Sequence, residues 1–139
     1  MNDHRKIIET ISLSREYYFG SEKVVVVRDV SMEVHPGEFI AVVGRSGSGK
    51  TTLLNLMAGL DKATSGSVLL EGQDLAAMGE RDLTNIRRRK IGFVFQSFGL
   101  LPLLSAFENV ELPLRISGVR NSEREQRATD ALEMVGLTR

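Results

Sequence analysis

The sequence contains no cysteine, three prolines and two histidines among its 139 residues. Without cysteine there is no disulfide, no thiolate nucleophile and no cysteine-based zinc site, and nothing conflicts with a reducing compartment. His4 near the start and His35 in a turn have no spaced partners for a metal site. An excess of one charge is also missing, since 18 Lys and Arg balance 18 Asp and Glu. No global field draws the chain to nucleic acid or an anionic membrane, so neither nucleic-acid binding nor direct membrane insertion is expected. No apolar run approaches the roughly 18 residues of a spanning helix. The opening Met1-Asn2-Asp3-His4-Arg5-Lys6 lacks the apolar stretch of a secretory signal, which predicts a cytoplasmic chain. Repeats and long linkers are absent as well. At 42% hydrophobic and 26% charged, the composition suits one globular unit with a core, or a piece of one.

Short Val- and Ile-rich runs punctuated by turn signals fill the first two thirds. Ile7 to Leu13 reads as a strand with Ile7, Ile11 and Leu13 on one face, and Val24 to Val27 as a second strand after Gly20-Ser21. Val30-Ser31-Met32-Glu33-Val34 alternates as a half-exposed strand. After the turn His35-Pro36-Gly37-Glu38, the apolar Phe39-Ile40-Ala41-Val42-Val43 reads as a strand covered on both faces. A Gly/Ser loop leads into a helix from Thr51 that Gly59 is placed to end. Ser67 to Leu70 reads as a strand, Glu80 to Arg89 as a polar helix and Ile91-Gly92-Phe93-Val94-Phe95 as an apolar strand. Beyond Gln96 the strand signals stop. Ser105 with Glu108 and Ser122 with Glu125 both have capping-box spacing, and Pro113 should kink or end the first of these helices near Leu112. The second helix carries Ala128, Ala131, Leu132 and Val135 on one face, with Gly136 just past its end. The division predicted is therefore residues 1–96 and 97–139.

Gly44-Arg45-Ser46-Gly47-Ser48-Gly49-Lys50-Thr51 satisfies every fixed position of G-x-x-x-x-G-K-[ST], between an apolar strand and a helix. Glycines at 44, 47 and 49 let successive N–H groups converge on a polyphosphate, and the helix N-terminus adds partial positive charge. Lys50 is expected to reach the β- and γ-phosphates, the Thr51 hydroxyl to enter a Mg²⁺ shell, and Thr52 to bond the α-phosphate. A Gly/Ser turn with an incidental lysine leaves this spacing unexplained.

The surroundings of the loop resemble the ATP-binding subunits of ABC transporters. The likeness rests on Asp29-Val30-Ser31, Pro36-Gly37-Glu38-Phe39, Gly59-Leu60-Asp61, Thr64-Ser65-Gly66-Ser67 and Ile91 through Gln96. Phe98-Gly99-Leu100-Leu101-Pro102 and Glu108-Asn109-Val110-Glu111-Leu112-Pro113-Leu114 are similar to the lipoprotein-release and macrolide-export branch. The resemblance implies an α/β P-loop NTPase core, a mainly parallel sheet with an antiparallel N-terminal part, followed by the start of a helical subdomain. It implies ATP and Mg²⁺ as cofactors, with residues 44–52 at the phosphates. It also implies that Tyr17 stacks on the adenine, with Tyr18 and Phe19 as competitors, and that Gln96 binds Mg²⁺ or the attacking water, the alternative being a surface glutamine. Lys50 and Gln96 are thus the catalytic candidates, Thr51 and Gln96 the metal candidates.

The implied function is ATP-driven transport across the cytoplasmic membrane, in the direction of export or lipoprotein release. The implied partners are a transmembrane permease subunit and a second ATP-binding subunit, with the protein peripheral on the inner face of the membrane. The family's Leu-Ser-Gly-Gly-Gln signature, Mg²⁺-holding Asp, catalytic Glu and downstream His are not in this sequence. The resemblance therefore implies an N-terminal part, truncated, that is inactive and poorly stable in isolation. A regulatory nucleotide-binding module, a degraded reading frame and a P-loop ATPase outside transport remain as alternatives. Arg87-Arg88-Arg89-Lys90 reads as a solvated helix end rather than a nucleic-acid or lipid-headgroup site. Met57 and Met134 read as core or interface filler, and Ser46, Ser48 and Ser105 lack the His/Asp partners of a nucleophile.

Overall fold

The computed structural model describes residues 5–137, so His4, Thr138 and Arg139 lie outside the described residues. Two compact units emerge, the first ending at Arg87 and the second beginning at Arg88.

In the first unit, β1 (Ile8–Phe19) and β2 (Glu22–Val34) form a long antiparallel hairpin. β3 (Ser65–Leu70) pairs on the other edge of β1, and the short β4 (Gln73–Asp74) follows it, giving the order β2-β1-β3-β4. The two runs expected as separate strands, Val24 to Val27 and Val30 to Val34, are one strand. Asp29 between them adopts a left-handed φ of 49°, and its N–H donates to Ser14 Oγ at 2.9 Å, so the chain bulges instead of breaking. A second bulge corrects the expected face of β1. The register shifts between Thr10 and Leu13, with Ser12 at φ 45°. Thr10 and Leu13 are thereby buried while Ile11 is exposed. The buried Thr10 hydroxyl donates to Val30 O at 3.0 Å and accepts from Met32 N–H at 3.1 Å, so its burial leaves no polar group unpaired.

The apolar face of this sheet is covered by α1 (Lys50–Met57), whose Leu53, Leu56 and Met57 are buried with Leu13 and Val27. Burial of each such side chain contributes roughly 1.5–3 kcal/mol. Gly59, at φ 62°, ends the helix as expected: its N–H bonds Leu56 O at 3.0 Å and Leu60 N–H bonds Asn55 O at 2.8 Å. A 3-10 turn (Leu75–Ala77) and α2 (Glu80–Lys90) bring in Leu75 and Leu83. The basic run at the end of α2 is only partly solvated, because Arg87 donates to Gly59 O at 2.8 Å and Thr84 Oγ1 at 3.1 Å.

The parallel part of the expected sheet is a correction. Residues 39–43 and 91–95 are not strands, and every strand pairing among the described residues is antiparallel. A strand exists only where a neighbour accepts and donates its backbone bonds, and apolar composition does not supply that neighbour. Phe39 is accordingly 97% exposed and Val94 94%.

The second unit contains α3 (Ala106–Ile116) and α4 (Asn121–Met134). The Ser105 box forms: Glu108 N–H donates to Ser105 Oγ, and Ser105 N–H to Glu108 Oε2 at 2.7 Å. The Ser105 N–H and hydroxyl hold the Glu108 carboxyl below its ordinary titration range, against a weaker effect of burial. The Ser122 box does not form, since Ser122 lies inside α4 and Arg120 is the N-cap. Arg124 organises that end instead, donating to Glu111 Oε1 at 2.7 Å and to Val119 O at 3.3 Å. Pro113 does not end α3, which runs on to Ile116. The lost bond is one among many, and α3 is tied to α4 by the Glu111–Arg124 pair. Of the face expected on α4, Ala128 is buried but Ala131 and Val135 are exposed, as is Met134.

Candidate functional site

The loop of residues 44–49 joins the unpaired segment 39–43 to α1, and it is held by contacts of its own. Gly49, the N-cap of α1, sits at φ 89°, where a Cβ would collide with the Val26 carbonyl oxygen of β2. Gly47 is left-handed as well, at φ 78°. Gly44 is not, and a Cβ there would lie 2.7 Å from Ser48 Oγ, an approach that rotation of the Ser48 side chain can relieve. Leu53 N–H to Gly49 O, at 2.8 Å, is the first bond of the helix. The N–H groups of Lys50, Thr51 and Thr52 precede it, and α1 has no side-chain cap, which leaves donors and the positive helix end together.

Lys50 turns back on the loop. Its ammonium donates to Gly44 O at 2.9 Å and Arg45 O at 2.7 Å, with Ser48 Oγ at 3.4 Å. The cation is thus positioned inside the curve of residues 44–48. Arg45, Ser46, Ser48 and Thr51 are exposed and Thr52 is half-buried. Such a loop offers donors on one side of an anion and leaves the other side open. The donors, the ammonium and the Thr51 hydroxyl are a chemically suitable set for a polyphosphate with Mg²⁺. A cavity of about 440 Å³ lies elsewhere, lined by Leu56, Asp61, Thr64, Leu75 and Leu83 among others and by none of residues 44–52.

Tyr17 lies near the end of β1, paired with Val24 of β2, in the same unit as the loop. It is half-buried, whereas its competitors Tyr18 and Phe19 are 66% and 68% exposed. Its hydroxyl donates to Asp61 Oδ2 at 2.7 Å, and the Arg15 guanidinium carbon lies 4.4 Å from its ring centroid. Arg15 also grips Asp61, Nε to Oδ2 at 3.0 Å and Nη2 to Oδ1 at 2.8 Å. Burial pushes the Asp61 carboxyl up, but the Tyr17 hydroxyl, the Lys62 N–H and the Arg15 charge together outweigh it and hold it below its ordinary value. Sequence reasoning gave Asp61 and Arg15 no role. The available signal was the two-residue spacing of Arg15 and Tyr17 on one strand; the pairing with Asp61 spans 46 positions and needed the fold.

Gln96 is exposed in a turn after residues 91–95, in the second unit. The rings of Phe93 and Phe95 lie tilted against each other at 44°, with centroids 4.7 Å apart. Among the described residues no group of three or more His, Cys, Asp or Glu is arranged to hold a metal ion.

The sequence pattern of the ABC transporter family matches residues 27–139. The chain belongs to this family. Among ABC transporter proteins it is 48% identical over 133 residues to the lipoprotein-releasing system ATP-binding protein LolD of Pseudomonas fluorescens, covering 96% of the chain and 59% of that protein. It is 41% identical over 132 residues to the macrolide export ATP-binding/permease protein MacB of Salmonella choleraesuis, covering 95% and 20%. These likenesses bear out the branch named from residues 98–102 and 108–114. A solved structure, the ATP-binding cassette MJ0796 as a dimer in a post-hydrolysis state bound to ADP and Pi, superposes with a TM-score of 0.85 at 41% identity. That match covers 91% of the chain and 56% of the cassette, so the α/β P-loop fold of an ABC cassette is shown. The chain spans a little over half the length of the first curated relatives it matches, from 57% to 59%.

Proposed function

We propose that this chain is the ATP-binding part of an ABC transporter subunit that binds MgATP on residues 44–52. ATP hydrolysis would be coupled to transport across the cytoplasmic membrane, as export or lipoprotein release. The observation that carries the reading is the loop itself, with Lys50 already folded into the curve of residues 44–48 at the start of α1. Family membership and the ADP and Pi of the cassette structure support nucleotide as the ligand. Lys50 neutralises the β- and γ-phosphates, exchanging its two carbonyl acceptors for charged oxygens. Gly44, Arg45, Ser46, Gly47, Ser48 and Gly49 supply the loop's backbone donors, and Thr52 bonds the α-phosphate. Mg²⁺ would be held by the Thr51 hydroxyl and by Gln96, and when bound it neutralises charge on the phosphates. Tyr17 stacks on the adenine, and Gln96 orients the attacking water as the second catalytic candidate.

The working division is residues 1–96 as nucleotide-binding core and 97–139 as the start of a helical subdomain. A loop open on one side calls for a second ATP-binding subunit to close it, and the dimeric cassette supports that partner. A transmembrane permease subunit is the other partner, which places the protein on the inner face of the membrane. No helix among the described residues is long and apolar enough to cross it.

The test is calorimetric titration of MgATP into the full-length protein and its Lys50→Ala variant. Losing a charge-assisted pair should weaken binding roughly 10- to 100-fold. The exposed carbonyls it leaves return to water, so the thermal midpoint should hardly move. Equal affinity in the two proteins would sink the reading.

A further inference from the structure

A tyrosine that serves as a base platform must hold its ring at a fixed angle. A ring held by packing alone can swing about two side-chain torsions. Tyr17 is anchored at two points. The tip is fixed by the 2.7 Å bond from its hydroxyl to Asp61, and one face lies against the Arg15 guanidinium at 4.4 Å. Both anchors converge on a single carboxylate. Asp61 Oδ2 accepts from Tyr17 and from Arg15 Nε, while Oδ1 accepts from Arg15 Nη2 and from Lys62 N–H at 2.7 Å.

The location of that carboxylate gives the arrangement its meaning. Asp61 follows directly on the C-terminal turn of α1, and its N–H bonds Asn55 O of that helix at 3.3 Å. The opposite end of α1 carries Lys50 and Thr51. The ring on β1 is therefore fastened to the helix whose first turn forms the phosphate site. A change in ring angle is resisted by the same eight-residue helix that sets the phosphate position.

We propose that Asp61 and Arg15 are positioning residues for purine recognition, holding the Tyr17 ring at the angle and distance from the phosphate loop that a nucleoside triphosphate requires. The inference rests on the reading of Tyr17 as the base platform. With the ring fixed beforehand, binding the base forfeits little side-chain freedom, and the effect falls on the base and spares the phosphates.

The experiment compares two ligands on the full-length protein by calorimetry: MgATP, and magnesium tripolyphosphate, which has no base. Tyr17→Ala, which removes the platform, should weaken MgATP about tenfold or more and leave tripolyphosphate unchanged. Tyr17→Phe and Asp61→Ala keep the ring but free it, and each should weaken MgATP several-fold, again with tripolyphosphate unchanged. Retained tripolyphosphate affinity also certifies that a variant is folded, and Tyr17→Phe removes a single hydroxyl should Asp61→Ala misfold. If Tyr17→Ala lowers MgATP affinity while Tyr17→Phe and Asp61→Ala match the parent, positioning is overturned and the base platform stands. If Tyr17→Ala leaves the ratio of the two affinities unchanged, platform and positioning fall together. A parallel loss for both ligands in Tyr17→Phe would mark a structural role and overturn the proposal.

Discussion

Two demands meet at Gly49. Its backbone is left-handed at φ 89°, and the Val26 carbonyl occupies the space a side chain would take. A left-handed non-glycine residue costs about 1–2 kcal/mol, and the collision with β2 adds to it. Gly49→Ala should therefore lower the unfolding free energy by at least that amount, read as a reduced midpoint in urea at unchanged slope. Glycine at this position both opens α1 and admits its packing on the hairpin. The motif made glycine at this position legible; the approach of Val26 was not, because nothing in residues 44–51 refers to a residue of β2. Lys50 is similar. The motif singles it out, whereas its bonds to Gly44 O and Arg45 O are a property of the folded loop.

At the level of elements, sequence and structure agree where local chemistry decides. The glycine ends of α1 and α4 were legible at Gly59 and Gly136, whereas α3, expected to kink or end at Pro113, runs on to Ile116, ahead of Gly118; all three glycines take left-handed φ and close their helices with the same pair of backbone bonds. The Ser105 box was legible for the same reason. The Ser122 box was not, because Arg124, bonded to Glu111 of α3, sets that helix start through a neighbouring element. The bulges at Ser12 and Asp29 invert faces that strict alternation would assign, and they depend on cross-strand partners. The Asp61 link between β1 and the end of α1 is likewise nonlocal, and it titrates. Its carboxyl has a folded-state value below the unfolded one of about 3.9. The stability it confers is complete above that unfolded value and is lost as pH falls through the lowered folded value. Asp61→Asn should remove this part of the acid limb, leaving a curve of thermal midpoint against pH that is flatter below about pH 4 and meets a lower plateau near neutrality.

Over the whole molecule, apolar surface is not confined to cores. Phe39, Val43 and Val94 are nearly fully exposed in segments that read as buried strands, and Leu103 is 98% exposed. Runs of unpaired backbone carrying large apolar side chains are templates for pairing with another chain. The 139-residue chain taken alone should therefore self-associate at micromolar concentration, seen as a sedimentation coefficient that rises with loading. A monomer with a cooperative, reversible thermal transition across that range would refute this. The sequence misled at this scale for a definable reason. Residues 39–43 and 91–95 have the composition of strands that two layers cover, but composition reports what a segment would bury and says nothing of whether a partner is there.

Residues 39–43 are the most continuously apolar stretch of the first unit, yet they belong to no ladder, while the mixed and charged β1 is bonded on both edges. Isotope exchange of the backbone amides should then invert the usual relation between hydropathy and protection. The oily run would take up deuterium within the earliest labelling times, and the strand carrying Glu9, Arg15 and Glu16 would be among the last to do so.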